Sequence, residues 1–322
     1  MSEYYVGWWN VENLFDVEDS ATRPQYLKDY LAKELQGWDA NALDAKLNQL
    51  TKIIQKMNNG KGPDILGVCE VENEAVLIKL LNKINIHGRN YKIAHHDCKD
   101  LRGIDIAFIY DHNKFEAKEQ FSYEVLKRAA TRDIFQVNFV TKPEKNDLIV
   151  IGNHWPSRSG GLYMSEPYRI LAAETLAYWN VRIMQIKAKS ASVLVMGDFN
   201  DEPFDRSLHE FALSSRSKQK VLRTKKNPRL YNLMWPLMEK DLGTYYFRNF
   251  PHMLDQFLIS RYFLKPTKPF SIKPNSVEIL QFPELIKGAY NVPRCFGRPN
   301  KNYDSKGFSD HFPIRMIIEE KS

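Results

Sequence analysis

What most constrains this chain is a series of short apolar runs of strand length, several of which end on a carboxylate, an asparagine or a histidine. The runs are Tyr4–Trp9, Asp64–Cys69, Ile104–Tyr110, Ile134–Val140, Leu148–Asn153, Val193–Met196, Asp255–Ile259 and Pro313–Ile318. They are rich in β-branched and aromatic residues and bounded by polar or turn residues, as buried strands are. Stretches of helical period lie between them. Asp44–Met57 lines up Leu47, Leu50, Ile53, Ile54 and Met57, and Asn73–Ile84 lines up Val76, Leu77, Leu80, Leu81 and Ile84. Tyr168–Ile186 is the longest, with Leu171, Leu176, Trp179 and Ile183 on its apolar side. Strands outnumber helices and some follow one another directly, which predicts a mixed sheet system flanked by helices.

The 322 residues are 43% hydrophobic and 26% charged, enough apolar material for a packed core. No linker or repeat divides the chain, so one domain over residues 1–322 is expected. Lys265–Lys306 carries six prolines and reads as a long ordered excursion. Cys69, Cys98 and Cys295 form no CxxC and are too few for a disulfide framework, which suits a reducing compartment. No signal-like leader opens the chain, and no run approaches the ~18 apolar residues of a membrane span. A cytoplasmic monomer is therefore expected. The net charge of +7 suits a polyanionic partner. Arg216–Lys226, with six cations and no acid, is a candidate for following a phosphate backbone; the competing reading is a solvated basic face.

The chemistry lies at the strand ends. Five segments set an acid, amide or imidazole there: Asn10 to Asn13, Glu70 to Glu72, Asn153-His154, Asp198 to Asp201, and Asp310-His311. A sixth, Leu254-Asp255-Gln256-Phe257, sets an acid at the head of an apolar strand. A single acid after a strand is usually a turn or a helix cap. Six such segments in one chain instead point to side chains converging on a cleft. Their oxygen-rich donor set suits a hard cation such as Mg²⁺ or Mn²⁺.

Taken in order, WNVEN, CEVEN, NHWPS, GDFND, LDQFLIS and SDHFPI resemble the motifs of the endonuclease/exonuclease/phosphatase superfamily. The likeness runs from about Tyr5 to Ile318. It implies an α/β fold, a four-layer α/β sandwich of two mixed β-sheets packed face to face with helices outside. It also implies a metal site at Asn10, Glu70 and Asp310, and Asp198 and Asn200 flanking the attacked phosphate. By the same resemblance His311 contacts that phosphate and is oriented by Asp255, while His154 occupies the second histidine position.

Elementary chemistry is compatible with those roles. Phosphodiester hydrolysis needs an activated water, neutralised phosphate oxygens and a stabilised leaving oxygen. Asp198 can orient or deprotonate the water, Asn200 can donate an amide hydrogen bond, and a His–Asp pair holds a raised pKa. Further candidates are Asp97 to orient His154, Arg132 and Arg158 to bind phosphate, and Tyr245 to face the substrate. Asp105 reads as a site residue or a paired core acid. Glu12 and Glu72 read as supports of the site or, more commonly, solvated acids. The substrate expected is nucleic acid cleaved with Mg²⁺ or Mn²⁺. A lipid head group or small phosphoester is the alternative, and a non-catalytic binding protein is a third reading that would require a broken core position.

Overall fold

The computed structural model describes residues 1–187, 191–224, 226–301 and 303–321. Two seven-stranded mixed sheets dominate it. The first contains β1 (Ser2–Leu14), β2 (Ile65–Val71), β3 (Tyr91–His95) and β4 (Asp105–Asp111). The second begins with β5 (Phe115–Tyr123), β6 (Ile134–Thr141), β7 (Asp147–His154) and β8 (Ser192–Asp198). It is completed by β9 (Ser214–Ser215), β10 (Leu230–Asn232) and β13 (Asp255–Ile259), with a separate hairpin of β11 (Tyr245–Phe247) and β12 (Phe250–His252) before the last of these. The C-terminal region returns to the first sheet through β14 (Phe270–Ile272) and β15 (Glu278–Ile279). It then forms a small hairpin of β16 (Ile286–Lys287) and β17 (Val292–Pro293) and ends in β18 (Ile314–Glu320). The orders are β14-β18-β1-β2-β4-β3, with β15 on β18, and β5-β6-β7-β8-β13-β10-β9.

Strict alternation along the strands produces the layers. On β1, Tyr4, Val6 and Trp8 face the second sheet and join Phe108, Met196, Phe257 and Ile314 in the central core. Tyr5, Trp9 and Val11 face outward and pack on α2 (Ala40–Lys56) and α3 (Glu74–Lys83). On the far side Val193, Val195 and Leu258 meet Leu176 and Ile183 of α4 (Leu162–Ile186). A short α1 (Gln25–Leu31) closes a satellite cluster with Phe15, Leu35 and Trp38. The result is the four-layer sandwich anticipated above, helices outside two sheets. Asp39 and Asn73 cap α2 and α3 by accepting from the N–H of Ala42 and Val76, so the last residue of CEVEN is a helix cap.

Two short-range features hold the layers close. A Cβ on Gly67 would meet Trp8 Cε3 at 2.5 Å, so glycine lets the inner faces approach. A Cβ on Gly197 would meet Asn153 O at 2.4 Å, so glycine brings the last residues of β7 and β8 together. Among the described residues no helix is long and apolar enough to cross a membrane.

The proline-rich stretch is more structured than expected, holding four short strands between Phe270 and Pro293. α2 and α4 begin earlier than their periodicity suggested, at Ala40 and Leu162, while α3 lies within its expected bounds. α4 starts at Leu162 and runs through Pro167, which removes one internal hydrogen bond without ending the helix.

Candidate active site

The site forms where one rim of each sheet meets the other. In the first sheet Asn10 pairs with Cys69, and in the second Asp198 lies between His154 on β7 and Asp255 on β13 in register. Two strands of the first sheet break their regular register here, β1 between Asn10 and Leu14 and β2 between Cys69 and Val71. Glu12, Asn13, Glu70 and Asn200 all adopt positive φ, at 52°, 55°, 64° and 52°. Non-glycine residues in this region are uncommon and concentrate where surrounding contacts over-determine the backbone.

Hydrogen bonds tie the rims together. Asn10 Nδ2 donates to Asp198 Oδ2 at 3.1 Å and lies 3.4 Å from Glu70 Oε1. The Asn13 N–H donates to Glu70 Oε2 at 2.9 Å, and the Asn200 N–H to Asp198 Oδ1 at 2.9 Å. His154 Nε2 stands 3.7 Å from Glu70 Oε1 and 3.8 Å from Asp198 Oδ2, and His311 Nε2 is 3.9 Å from that same Asp198 oxygen. Thus two imidazoles and one amide converge on a single carboxylate oxygen. Burial, reinforced by Asp255, pushes the Asp198 pKa up to about 6, against the lowering by His311 and its hydrogen bonds.

The two histidines are held in opposite states. His311 Nδ1 donates to Asp255 Oδ2 at 2.6 Å, and Trp8 Nε1 donates to the other Asp255 oxygen at 3.0 Å. Burial alone would lower the His311 pKa, but Asp255 and Asp198 outweigh it and hold it well above the usual value. His154 is buried without an acid on Nδ1, which has no hydrogen-bond partner. Burial, then Arg132, Arg102 and His311, keep its pKa well below normal, so it is neutral near pH 7.

Other sequence candidates fall into two groups. Asp310 is half-buried beside His311, with its pKa raised by burial and by the Glu70 and Asp198 charges. The Tyr245 ring lies 5.0 Å from the His311 ring, and the two residues form a β-bridge. Arg132 donates to Trp155 O at 2.8 Å and reaches Asp100 at 3.5 Å, while its buried Nε has no partner. Asn200 Nδ2 donates to Trp155 O at 3.0 Å, which leaves one amide hydrogen available.

Asp97 and Arg158 have partners other than those expected. Asp97 is exposed and groups with His95 and Asp105 rather than with His154. Its loop turns away because Asp105 accepts from the Cys98 N–H at 3.0 Å and pairs with His95 at 3.0 Å. Asp105 is thus a paired acid. Arg158 is consumed by the protein, donating to Asn200 O, Asp201 and Asp205 at 2.6, 3.0 and 2.6 Å; it braces the Asp198 loop instead of reaching a ligand. The basic stretch from Arg216, of which residue 225 is outside the described residues, carries α5 (Lys218–Arg223). That helix packs by the turn after Ile259, at the opposite end of β13 from Asp255. It therefore does not border the cleft.

Three supports are not apparent in the sequence. Lys46 is fully buried, donates to Phe308 O at 2.6 Å and lies 4.0 Å from Glu12. Its position among Leu43, Leu47 and Leu50 on the apolar face of α2 was the available signal. Thr244 Oγ1 accepts from the Leu254 and Asp255 N–H groups, fixing the dyad's acid. Ser309 Oγ donates to Asn10 O at 2.6 Å and accepts from the His311 N–H. Glu12 and Glu72 are both buried rather than solvated. Glu12 accepts from the Phe296 and Gly297 N–H groups, and burial with Asp310 pushes its pKa up to about 7.

A two-sheet sandwich with a carboxylate, amide and imidazole centre at one rim defines a class of hydrolytic fold. The chain belongs to the endonuclease/exonuclease/phosphatase family, whose model matches residues 5–320. That family consists of phosphoester hydrolases, and the chain is an enzyme of that kind. No curated protein matches the sequence. Among solved structures, a mannosyl-6-phosphatase from Bacteroides thetaiotaomicron is 15% identical with a TM-score of 0.57, covering 98% of this chain and 99% of the other. The human Nocturnin catalytic domain with bound sulfate anion is 15% identical at 0.55, covering 99% and 95%. D. rerio TDP2 complexed with single strand DNA product is 12% identical at 0.57, covering 99% and 100%.

Proposed function

We propose that this enzyme is a divalent-metal-dependent phosphodiester hydrolase acting on nucleic acid. The observation that carries the reaction type is the convergence of His154, His311 and Asn10 on Asp198 Oδ2, with Glu70 Oε1 alongside. The centre suits a cation: Asp310 lies close enough to feel the Glu70 and Asp198 charges, and Glu12 close enough to feel Asp310, so that burial first and these neighbouring carboxylates second raise the Asp310 and Glu12 pKa values. Asp198, Asp255 and His311 also present closely spaced ligand atoms, but the Asp255 oxygens are engaged by His311 and Trp8. Glu70 and Asp310 are therefore the better holders of Mg²⁺ or Mn²⁺, with Asn10 able to join them through Oδ1, which now accepts from the Glu12 N–H, once its amide turns. Bound there, the ion would neutralise developing charge on the phosphate.

The protein's own groups do the rest. Asp198, held by Asn10 and the Asn200 N–H, orients the attacking water and accepts its proton. Protonated His311 donates from Nε2 to a phosphate oxygen while Asp255 holds the ring. Neutral His154 offers a hydrogen bond rather than a full proton, and Arg132 and the remaining Asn200 amide hydrogen contribute further donors.

The shared fold does not choose the substrate, since solved relatives include both a phosphatase and a protein complexed with a DNA product. The β11–β12 hairpin favours nucleic acid. Its tip exposes Phe247 and Phe250, and the Arg248 guanidinium lies over the Phe247 ring at 5.3 Å. Rings presented beside a cation suit stacking on bases with contact to phosphate. Tyr245, at the other end of β11, packs against His311, which links the hairpin to the reacting group.

Incubation with Mg²⁺ and a panel of plasmid, single-stranded DNA, RNA and small phosphoesters tests the substrate class. Cleavage of at least one nucleic acid is expected. Phosphate release from small esters with every nucleic acid intact would replace this reading by the phosphatase one. A second test uses D255N. Removing that charge lowers the His311 pKa, so the alkaline limb of the kcat/KM profile moves to lower pH. An unmoved limb would remove protonated His311 from the mechanism.

A further inference from the structure

Two arginines share one carboxylate, and one of them is connected through Asn13 to Glu70 of the site. Arg298 Nη1 lies 2.9 Å from Glu34 Oε1, and Arg102 Nη2 lies 3.3 Å from the same oxygen. Arg102 Nη2 also donates to Asn13 Oδ1, and the Asn13 N–H donates to Glu70 Oε2 at 2.9 Å. The segment leading into Arg298 is fixed independently, because the Phe296 and Gly297 N–H groups donate to Glu12 at 2.7 and 3.1 Å. The Arg102 guanidinium is thus held by Asn13 and the backbone before Arg298 by Glu12, two residues near the site end of β1.

Two cations against one carboxylate leave a net positive charge at this point. The arginine side chains are 30% and 34% exposed, and neither has another side-chain partner among the described residues. Each guanidinium has five N–H donors, so most remain available. Planar, exposed guanidiniums held at fixed angles suit the oxygens of a phosphate. The Arg216–Lys226 stretch, by contrast, is remote from the cleft.

We propose that Arg102 and Arg298 form a subsite for a second phosphate, the one next to the phosphate being cleaved. This rests on the phosphodiesterase reading and names its preferred substrate: a chain with consecutive phosphates rather than an ester with one. The competing role is a plain cross-link, with Glu34 stapling two loops.

The test compares kcat/KM on a short single-stranded oligonucleotide with kcat/KM on bis(p-nitrophenyl) phosphate, as a ratio, for wild type, R298A and E34Q. In R298A the ratio falls about tenfold or more, since a charge-assisted phosphate contact is lost only for the longer substrate. The slope of log(kcat/KM) against log salt for the oligonucleotide becomes shallower by roughly 0.7, the value for one single-strand phosphate contact. E34Q breaks the staple while keeping both cations, so its ratio holds or rises. A parallel fall on both substrates in R298A, an unchanged ratio there, or a fall of the ratio in E34Q would overturn the subsite. Wild-type enzyme inert towards the oligonucleotide would overturn both the subsite and the nuclease reading.

Discussion

Replacing His311 with alanine lowers kcat/KM for phosphodiester cleavage by about three orders of magnitude, within the ~10²–10⁴ range that a positioned proton donor supplies. The expectation follows from the ring's surroundings. Asp255 accepts from Nδ1 at 2.6 Å and is itself fixed by Trp8 and Thr244, so Nε2 is aimed across the cleft at Asp198. No other described group can substitute, because His154 is kept neutral by burial and by Arg132. Alanine also leaves Asp255 short of a donor. H311Q is therefore the companion variant: its amide can still reach the acid, yet it carries no titratable proton. If H311A and H311Q both fold, by near-ultraviolet circular dichroism, and both retain activity within tenfold of wild type, the role assigned to His311 is wrong. D198N is expected to lose activity on a similar scale, since the amide can neither accept the water's proton nor carry the charge that faces both rings.

The second large effect is on stability. Arg23 and Glu72 are both buried and paired through two contacts, at 2.5 and 2.8 Å. Arg23 also donates to the carbonyls of Asp16, Val17 and Glu18, and Glu72 accepts from the Asp16 N–H at 2.6 Å. The pair thus ties the chain after β1 to the chain after β2, just behind the catalytic rim. R23M leaves a buried carboxylate without its cation, at a cost of about 3–5 kcal/mol. Thermal unfolding should register a fall in Tm on the order of 10 °C. The double variant R23M/E72M removes the stranded charge and should recover a good part of the loss. A single variant that unfolds within a degree or two of wild type would show the pair to be energetically idle.

The parts of the molecule legible in the sequence were those written in local pattern. β13 is found at its expected bounds, and the other expected strands lie within a few residues of theirs, because half-buried strands must alternate or run apolar and must stop at polar residues. The strands with no counterpart among the expected runs are β3, β5 and the short β9 to β12 and β14 to β17. β5 shows why: its middle reads Glu-Ala-Lys-Glu-Gln, and on a sheet edge only its ends, Phe115 and Tyr123, are buried, so its pattern carries little signal. The candidate residues at the strand ends were visible for the same reason, since a strand delivers its last side chain to the rim.

Long-range partners were not legible. Arg102 meets Asn13 across 89 positions and Lys46 meets Phe308 across 262, and nothing local marks either contact. The same limit explains the reassigned residues. Arg158 follows the His154 strand closely enough to suggest a phosphate ligand, but Asp201, Asp205 and the Asn200 carbonyl take up its guanidinium. Asp97 lost its expected partner when Asp105 drew the loop towards His95.

The central claim, that carboxylates and imidazoles at this rim cleave phosphoesters with the help of a divalent cation, is tested most directly by chelation and add-back. Protein stripped with EDTA is assayed on its best phosphodiester substrate, then again after Mg²⁺ or Mn²⁺ is restored, with E70Q in parallel. The predicted result is no turnover in EDTA, recovery on addition of the metal, and little or no recovery in E70Q, whose amide is a poorer ligand for a hard cation. Undiminished hydrolysis in EDTA, or an E70Q enzyme that recovers like wild type, would contradict it.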